Sequence, residues 1–164
     1  MSKRITVSLI IIILFSIFFQ PSVFAQSRLE YPNDFGIEIG GKSIVYSFTY
    51  QRMLNHYIGL EGGISALGGG DSDGNATVIF FPVGAKAYLL PKNGSPFITG
   101  GIVFINASVE SGPFEDSTSN SYTYAGLGFE YRAEGGFIFR GTAYGLISEG
   151  SFFIWPGLHV GYAF

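Results

Sequence analysis

Seven side chains that could do chemistry sit in the middle of otherwise apolar runs: Glu38, Glu61, Lys86, Glu130, Arg132, Arg140 and His159. Three acids, three cations and one imidazole allow three outcomes. Gathered in a dry interior they must neutralise one another, because an uncompensated buried charge is strongly destabilising. Spread around a continuous wet path, they would act as selectivity elements of a channel. With a serine and an acid beside it, His159 could serve as a general base, since an unperturbed imidazole titrates near neutral pH. Which outcome holds depends on the elements that carry these residues.

Those elements read as strands. Runs of alternating residues are divided by turn chemistry: "DFGIEIGG", "IVYSFTYQRM", "HYIGLEGGISAL", "ATVIFFPVGAKAYLL", "PFITGGIVFINASV", "YTYAGLGFEYR", "GFIFRGTAYGLIS" and "FFIWPGLHVGYAF". Eight strands of roughly ten residues result, each long enough to cross a bilayer at a tilt. Successive side chains alternate faces. One phase is apolar on every strand: Phe35, Ile37 and Ile39; Phe48 and Tyr50; Ile58, Leu60 and Ile64; Phe81 and Val83; Val103, Ile105 and Ala107; Leu127, Phe129 and Tyr131; Phe137 and Phe139; Leu158, Val160 and Tyr162. The other phase holds the seven chemical residues together with Ser47, Thr49, Gln51, Asn106 and Thr142. Pro82 and Pro156 fall inside strands and each removes a ladder donor, so bulges or early strand ends are expected there.

The connections "LN", "PKNGS" and "AEG" are tight, and "KS" and "EGS" are short. "GGGDSDGN" and "ESGPFEDSTSNS" read as longer, polar, acidic loops. Tyr50, Tyr57, Tyr88, Phe97, Tyr131, Phe137, Tyr162 and Phe164 cluster near the tight-turn ends, where an interfacial aromatic girdle belongs. "DSDGN" lacks the later glutamate and flanking helices of a calcium loop, which leaves a turn. No cofactor or metal is expected. There is no cysteine, which excludes disulfides and thiolate chemistry.

Composition decides between burying and exposing the apolar phase. Charged residues are only 13% of the chain against 47% hydrophobic, too few for a wetted surface around a separate apolar core. The N-terminus reads as an export signal: "MSKR", then "ITVSLIIIILFSIFF", then "QPSVFA", with small residues at Val23 and Ala25 before an expected cleavage at Gln26. Residues 1–25 are thus a signal peptide, 26–33 a short leader and 34–164 the folded domain. Losing Lys3 and Arg4 takes the net charge from −3 to about −5, which argues against nucleic acid as a partner. For an exported chain with this pattern, lipid outside and polar groups inside is the consistent arrangement. The expected fold is all-β: an eight-stranded antiparallel up-and-down transmembrane β-barrel with both termini periplasmic.

With "YSFTYQRML", "FFPVGAKAYLL", "EYRAEGGFIFR" and the closing "WPGLHVGYAF", the chain resembles the small eight-stranded outer-membrane barrels of the OmpA/OmpX type over roughly Asp34 to Phe164. The resemblance implies an outer-membrane location among lipids including lipopolysaccharide. It also implies recognition by the barrel-assembly machinery through Tyr162 and Phe164, and a structural, envelope-stabilising or surface-binding role. A small passive channel is the alternative and a lipid-modifying enzyme the third reading. Outer-membrane lipid A deacylases place a histidine and a serine close together in one strand. Here His159 is followed by "VGYAF" and His56 by "YIGLEGG", so that spacing is missing. A closed interior predicts Arg132 or Arg140 within salt-bridge distance of Glu38, Glu61 or Glu130.

Overall fold

The computed structural model describes residues 28–71, 74–111, 114–148 and 150–164. The expected signal peptide lies outside them, as do residues 72–73 of "DSDGN" and 112–113 of "ESGPFEDSTSNS". Eight strands follow in order: β1 (Asn33–Gly40), β2 (Tyr46–Met53), β3 (Ile58–Asp71), β4 (Gly74–Tyr88), β5 (Gly94–Ser111), β6 (Phe114–Arg132), β7 (Phe137–Ser148) and β8 (Ser151–Ala163). Each pairs antiparallel with its chain neighbours, and β1 pairs with β8 to close the sheet. The fold is a closed all-β antiparallel barrel.

The closure is staggered. From Phe35 the paired residues run through Tyr50, Gly62, Val83, Ile102, Thr123 and Ile147 to Phe152. That is ten residues short of Tyr162, which pairs with Phe35 across the seam. Strands must tilt to absorb such a stagger, and eight tilted strands leave an interior just wide enough for side chains to fill.

The faces divide as the alternation requires on seven of the eight strands. Ile37, Phe48, Leu60, Val83, Leu127, Phe139 and Leu158 are exposed on the outside, while Glu38, Gln51, Glu61, Lys86, Glu130, Arg140 and His159 are buried within. On β5 the expected phase is reversed. Val103 is fully buried and Ile105 packs against the core, whereas Ile102 and Phe104 face out and Asn106 is exposed. The run "IVFI" is apolar on both faces, so alternation alone cannot orient it.

The walls differ in height. β1 and β2 have 8 residues each, but β5 has 18 and β6 has 19. The stretches read as long loops are mostly continuations of strands: the β3–β4 ladder reaches Asp71↔Gly74 and the β5–β6 ladder reaches Ser111↔Phe114. Polar composition there marks the end of the apolar belt and not the end of the ladder. Ser119 donates to Asn106 across that polar stretch at 2.7 Å.

The prolines are accommodated differently. Around Pro82 the β3–β4 pairing lapses between Gly62↔Val83 and Ser65↔Phe80 and resumes in the same register, so there is neither a bulge nor a strand end. Gly63 makes room for it: a Cβ there would lie 3.1 Å from Pro82 Cγ and 2.7 Å from the Phe48 carbonyl. At Pro156 the expected bulge or strand end is also absent: β8 runs through it with Ala143↔Pro156 in continuous register, and the proline lies just past Gly40↔Gly157, where the β1–β8 ladder stops.

Candidate functional site

The barrel interior is built in three layers. The first lies at the end of the tight turns. There Arg140 donates through Nε to Glu130 Oε2 at 2.5 Å and through Nη2 to Asp34 Oδ2 at 2.6 Å. Arg132 does likewise, to Glu130 Oε1 at 3.1 Å and Asp34 Oδ2 at 2.9 Å. Two guanidinium forks thus span two carboxylates, the geometry in which Arg outperforms Lys. The strand registers impose it: Glu130 pairs with Arg140, and Arg132 follows two residues later on the same face.

Tyr88 donates to Glu130 Oε2 at 2.6 Å and accepts from Gln51 Nε2 at 2.9 Å. Gln51 Oε1 in turn accepts from Lys86 Nζ at 3.1 Å, linking this layer to the next. From the leader, Arg28 reaches into the same end. Its guanidinium stacks 4.2 Å above the Tyr88 ring and donates to the Leu90 carbonyl at 2.8 Å and to Glu130 at 3.4 Å.

In the second layer Lys86 donates to Glu61 Oε2 at 2.6 Å. Lys42 donates to Glu38 Oε2 at 3.0 Å and to Glu61 Oε2 at 3.1 Å. Lys42 is carried by a short 3-10 turn, Gly41–Ser43, that folds from the β1–β2 connection into the barrel. Thr99 and Tyr124 donate to Glu61 Oε1, each at 3.0 Å, and Tyr144 donates to Glu38 Oε1 at 2.6 Å. The third layer is aromatic and aliphatic: Phe80, Val103, Tyr122, Tyr124, Tyr144 and Leu146, with Trp155 packed against them.

His159 lies between the two ion-pair layers, paired across the ladders with Glu38 on β1 and Arg140 on β7. Its Nδ1 lies 3.2 Å from Thr49 Oγ1. The ring fills space left by two glycines: a Cβ at Gly36 would lie 2.7 Å from its Cε1, and one at Gly161 2.6 Å from its Nε2. Its cross-strand neighbour Glu38 is already bound by Lys42 and Tyr144. His159 is therefore set against a threonine inside the barrel, with Glu38 as its cross-strand neighbour, and away from the lipid face. His56 lies in the exposed β2–β3 connection.

All seven sequence-selected residues are interior; six fall in two groups, Glu130, Arg132 and Arg140 in one layer and Glu38, Glu61 and Lys86 in the other, with His159 in neither. Sequence reading missed Asp34, Lys42 and Arg28. Asp34 and Lys42 share the even-numbered phase of Glu38 and could have been found by extending it four residues each way. Arg28 carries no such signal, since it precedes the first strand. Two expected girdle residues are corrected. Tyr88 and Phe97 point inward and pack together with ring centroids 5.5 Å apart, because each lies in the inward phase of its strand. Tyr50, Tyr57, Tyr131, Phe137, Tyr162 and Phe164 are exposed.

No known family's sequence profile matches the chain, and no curated protein matches it. Solved structures do. The N-terminal β-barrel domain of OprF from Pseudomonas aeruginosa aligns with a TM-score of 0.54 at 16% identity, covering 80% of this chain and 94% of that one. Ail, the attachment invasion locus protein of Yersinia pestis, solved with the heparin analogue sucrose octasulfate, aligns at 0.57 and 15% identity over 80% and 96%. At such identities the likeness is one of fold: this chain has the same small closed barrel.

Proposed function

We propose that this protein is an integral protein of the bacterial outer membrane, exported through a cleaved signal peptide, with both termini periplasmic and a closed, non-catalytic interior. Its role is structural: it stabilises the envelope and presents a surface for binding. The observation that carries this reading is the filled lumen, in which two linked ion-pair layers sit beneath an aromatic layer. The outward belt of Ile, Leu, Val and Phe suits lipid, including the acyl chains of lipopolysaccharide. The β3–β6 wall rises past that belt with outward Thr77, Asn106 and Ser119, which suits contact with a surface partner. Ail, an outer membrane protein, has been solved with a heparin analogue, a precedent for a barrel of this shape meeting a polyanion. Tyr162 and Phe164, exposed at the end of β8, are the groups offered to the barrel-assembly machinery.

Conductance of the refolded protein in a planar lipid bilayer tests the closed interior. The expected result is no current from demonstrably inserted protein. Reproducible current steps would replace this reading with the passive channel.

A further inference from the structure

The Gly41–Ser43 turn is held inside the barrel at a conformational cost. Gly40 and Gly41 have φ of +69° and +68°, and the turn leaves through Ile44 at φ +72°. A β-branched residue in the left-handed region is strained, and such strain persists only where surrounding contacts enforce it. Packing against β7 and β8 and a set of polar contacts hold the turn. Tyr122 donates to the Lys42 carbonyl, Trp155 Nε1 donates to the Ile44 carbonyl at 2.8 Å, and the Lys42 ammonium binds Glu38 and Glu61.

Each carboxylate around that ammonium is also held by groups outside the turn, although Gly41 packs against Glu38, where an added Cβ would lie 2.6 Å from Oε2. Both oxygens that face Lys42 are Oε2 atoms, and each carboxylate is fixed through its other oxygen. Tyr144 holds Glu38 Oε1, while Thr99 and Tyr124 hold Glu61 Oε1. Lys86 anchors Glu61 a third time. With Lys42 in place, two carboxylates balance two ammonium groups. With Lys42 withdrawn, Glu38 and Glu61 face Lys86 alone and the cage is one positive charge short. The closed arrangement also leaves hydroxyls unused: Ser43, Ser47 and Ser65 Oγ are buried without a hydrogen-bond partner, and Ser47 lies directly across the ladder from Glu38. Buried polar atoms are rarely left so.

We propose that the space filled by the Lys42 ammonium is a binding site for a primary alkylammonium group. The turn is its resident occupant, displaced when an external cationic amine takes its place. The ligand class follows from the cage: two preset carboxylate oxygens and the Tyr144 ring, whose centroid lies 5.8 Å from Nζ, suit a compact N–H donor cation.

Trp155 is the chain's single tryptophan and is bonded to the turn, so its fluorescence reports the turn's position. The experiment titrates the refolded protein with n-butylammonium chloride, using sodium chloride and tetramethylammonium chloride as controls. The expected result is a saturable change in Trp155 emission with butylammonium alone, abolished in Glu38→Gln. Lys42→Ala removes the internal competitor, so its affinity for butylammonium, measured by isothermal titration calorimetry alongside the parent, should rise about tenfold. If that variant does not refold, Lys42→Met takes its place with the same readout. An emission change that follows ionic strength, an equal response to tetramethylammonium, or a Lys42 variant that binds no tighter than the parent would overturn the proposal.

Discussion

Glu130 is fully buried and accepts hydrogen bonds from Arg28, Arg132, Arg140 and Tyr88. Its carboxylate is tolerated only because that set is complete. Removing one partner of a buried ion pair leaves the other uncompensated, at a cost of about 3–5 kcal/mol. Arg140→Ala should therefore lower stability by that amount, read as a shifted urea midpoint for the barrel in lipid vesicles. An unchanged midpoint would mean that the interior charges are solvated and not packed. Arg140→Lys should recover only part of the loss, because an ammonium cannot match the guanidinium fork that bridges Asp34 and Glu130.

At the scale of the strand, two devices set the wall. One is the notch at Gly63 that admits Pro82. Gly63→Ala should destabilise by about 1–3 kcal/mol through overpacking. Gly69→Ala, where an added Cβ meets nothing within 4 Å, should be near neutral and serves as the control. Equal unfolding midpoints for the two variants would refute the notch. The other device is the phase of β5. Ile102 faces out and Val103 faces in, so Ile102→Arg should cost about 2–4 kcal/mol in a bilayer, as lipid-facing cations do near the midplane. Were Ile102 inward, its exposure to lipid-soluble quenchers as a labelled cysteine would be lost.

For the whole barrel, closure rests on the β1–β8 seam. The Asn33 amide donates to the Phe164 carbonyl at 3.1 Å, and the Phe164 amide donates to the Asn33 carbonyl at 2.9 Å. Deleting Phe164 removes these two bonds, each worth about 1 kcal/mol, so the refolded barrel should lose little stability in detergent. In cells the same deletion should sharply lower the yield in the outer membrane if Tyr162 and Phe164 are read during assembly. Equal membrane yields would count against that role. The uneven wall also makes the two ends of the barrel unlike: Arg28 and the guanidinium layer close one, while the Gly41–Ser43 turn and the aromatic layer close the other.

The number of strands, their chain order, the apolar outside and the inward placement of seven chemical residues were legible from the amino-acid order alone. Period-two alternation is a local property of the backbone and survives without knowledge of partners. It failed on "IVFI", where both faces are apolar, and at the long loops, where polar residues continue a ladder beyond the belt. Which charges meet could not be read from spacing. Lys42 reaches Glu61 only because a strained turn folds inward, and Asp34 reaches Arg132 and Arg140 only because closure sets β1 beside β8 and within reach of β7 and β6. Those pairings belong to the closed tertiary structure, since closure alone sets the distances across the lumen.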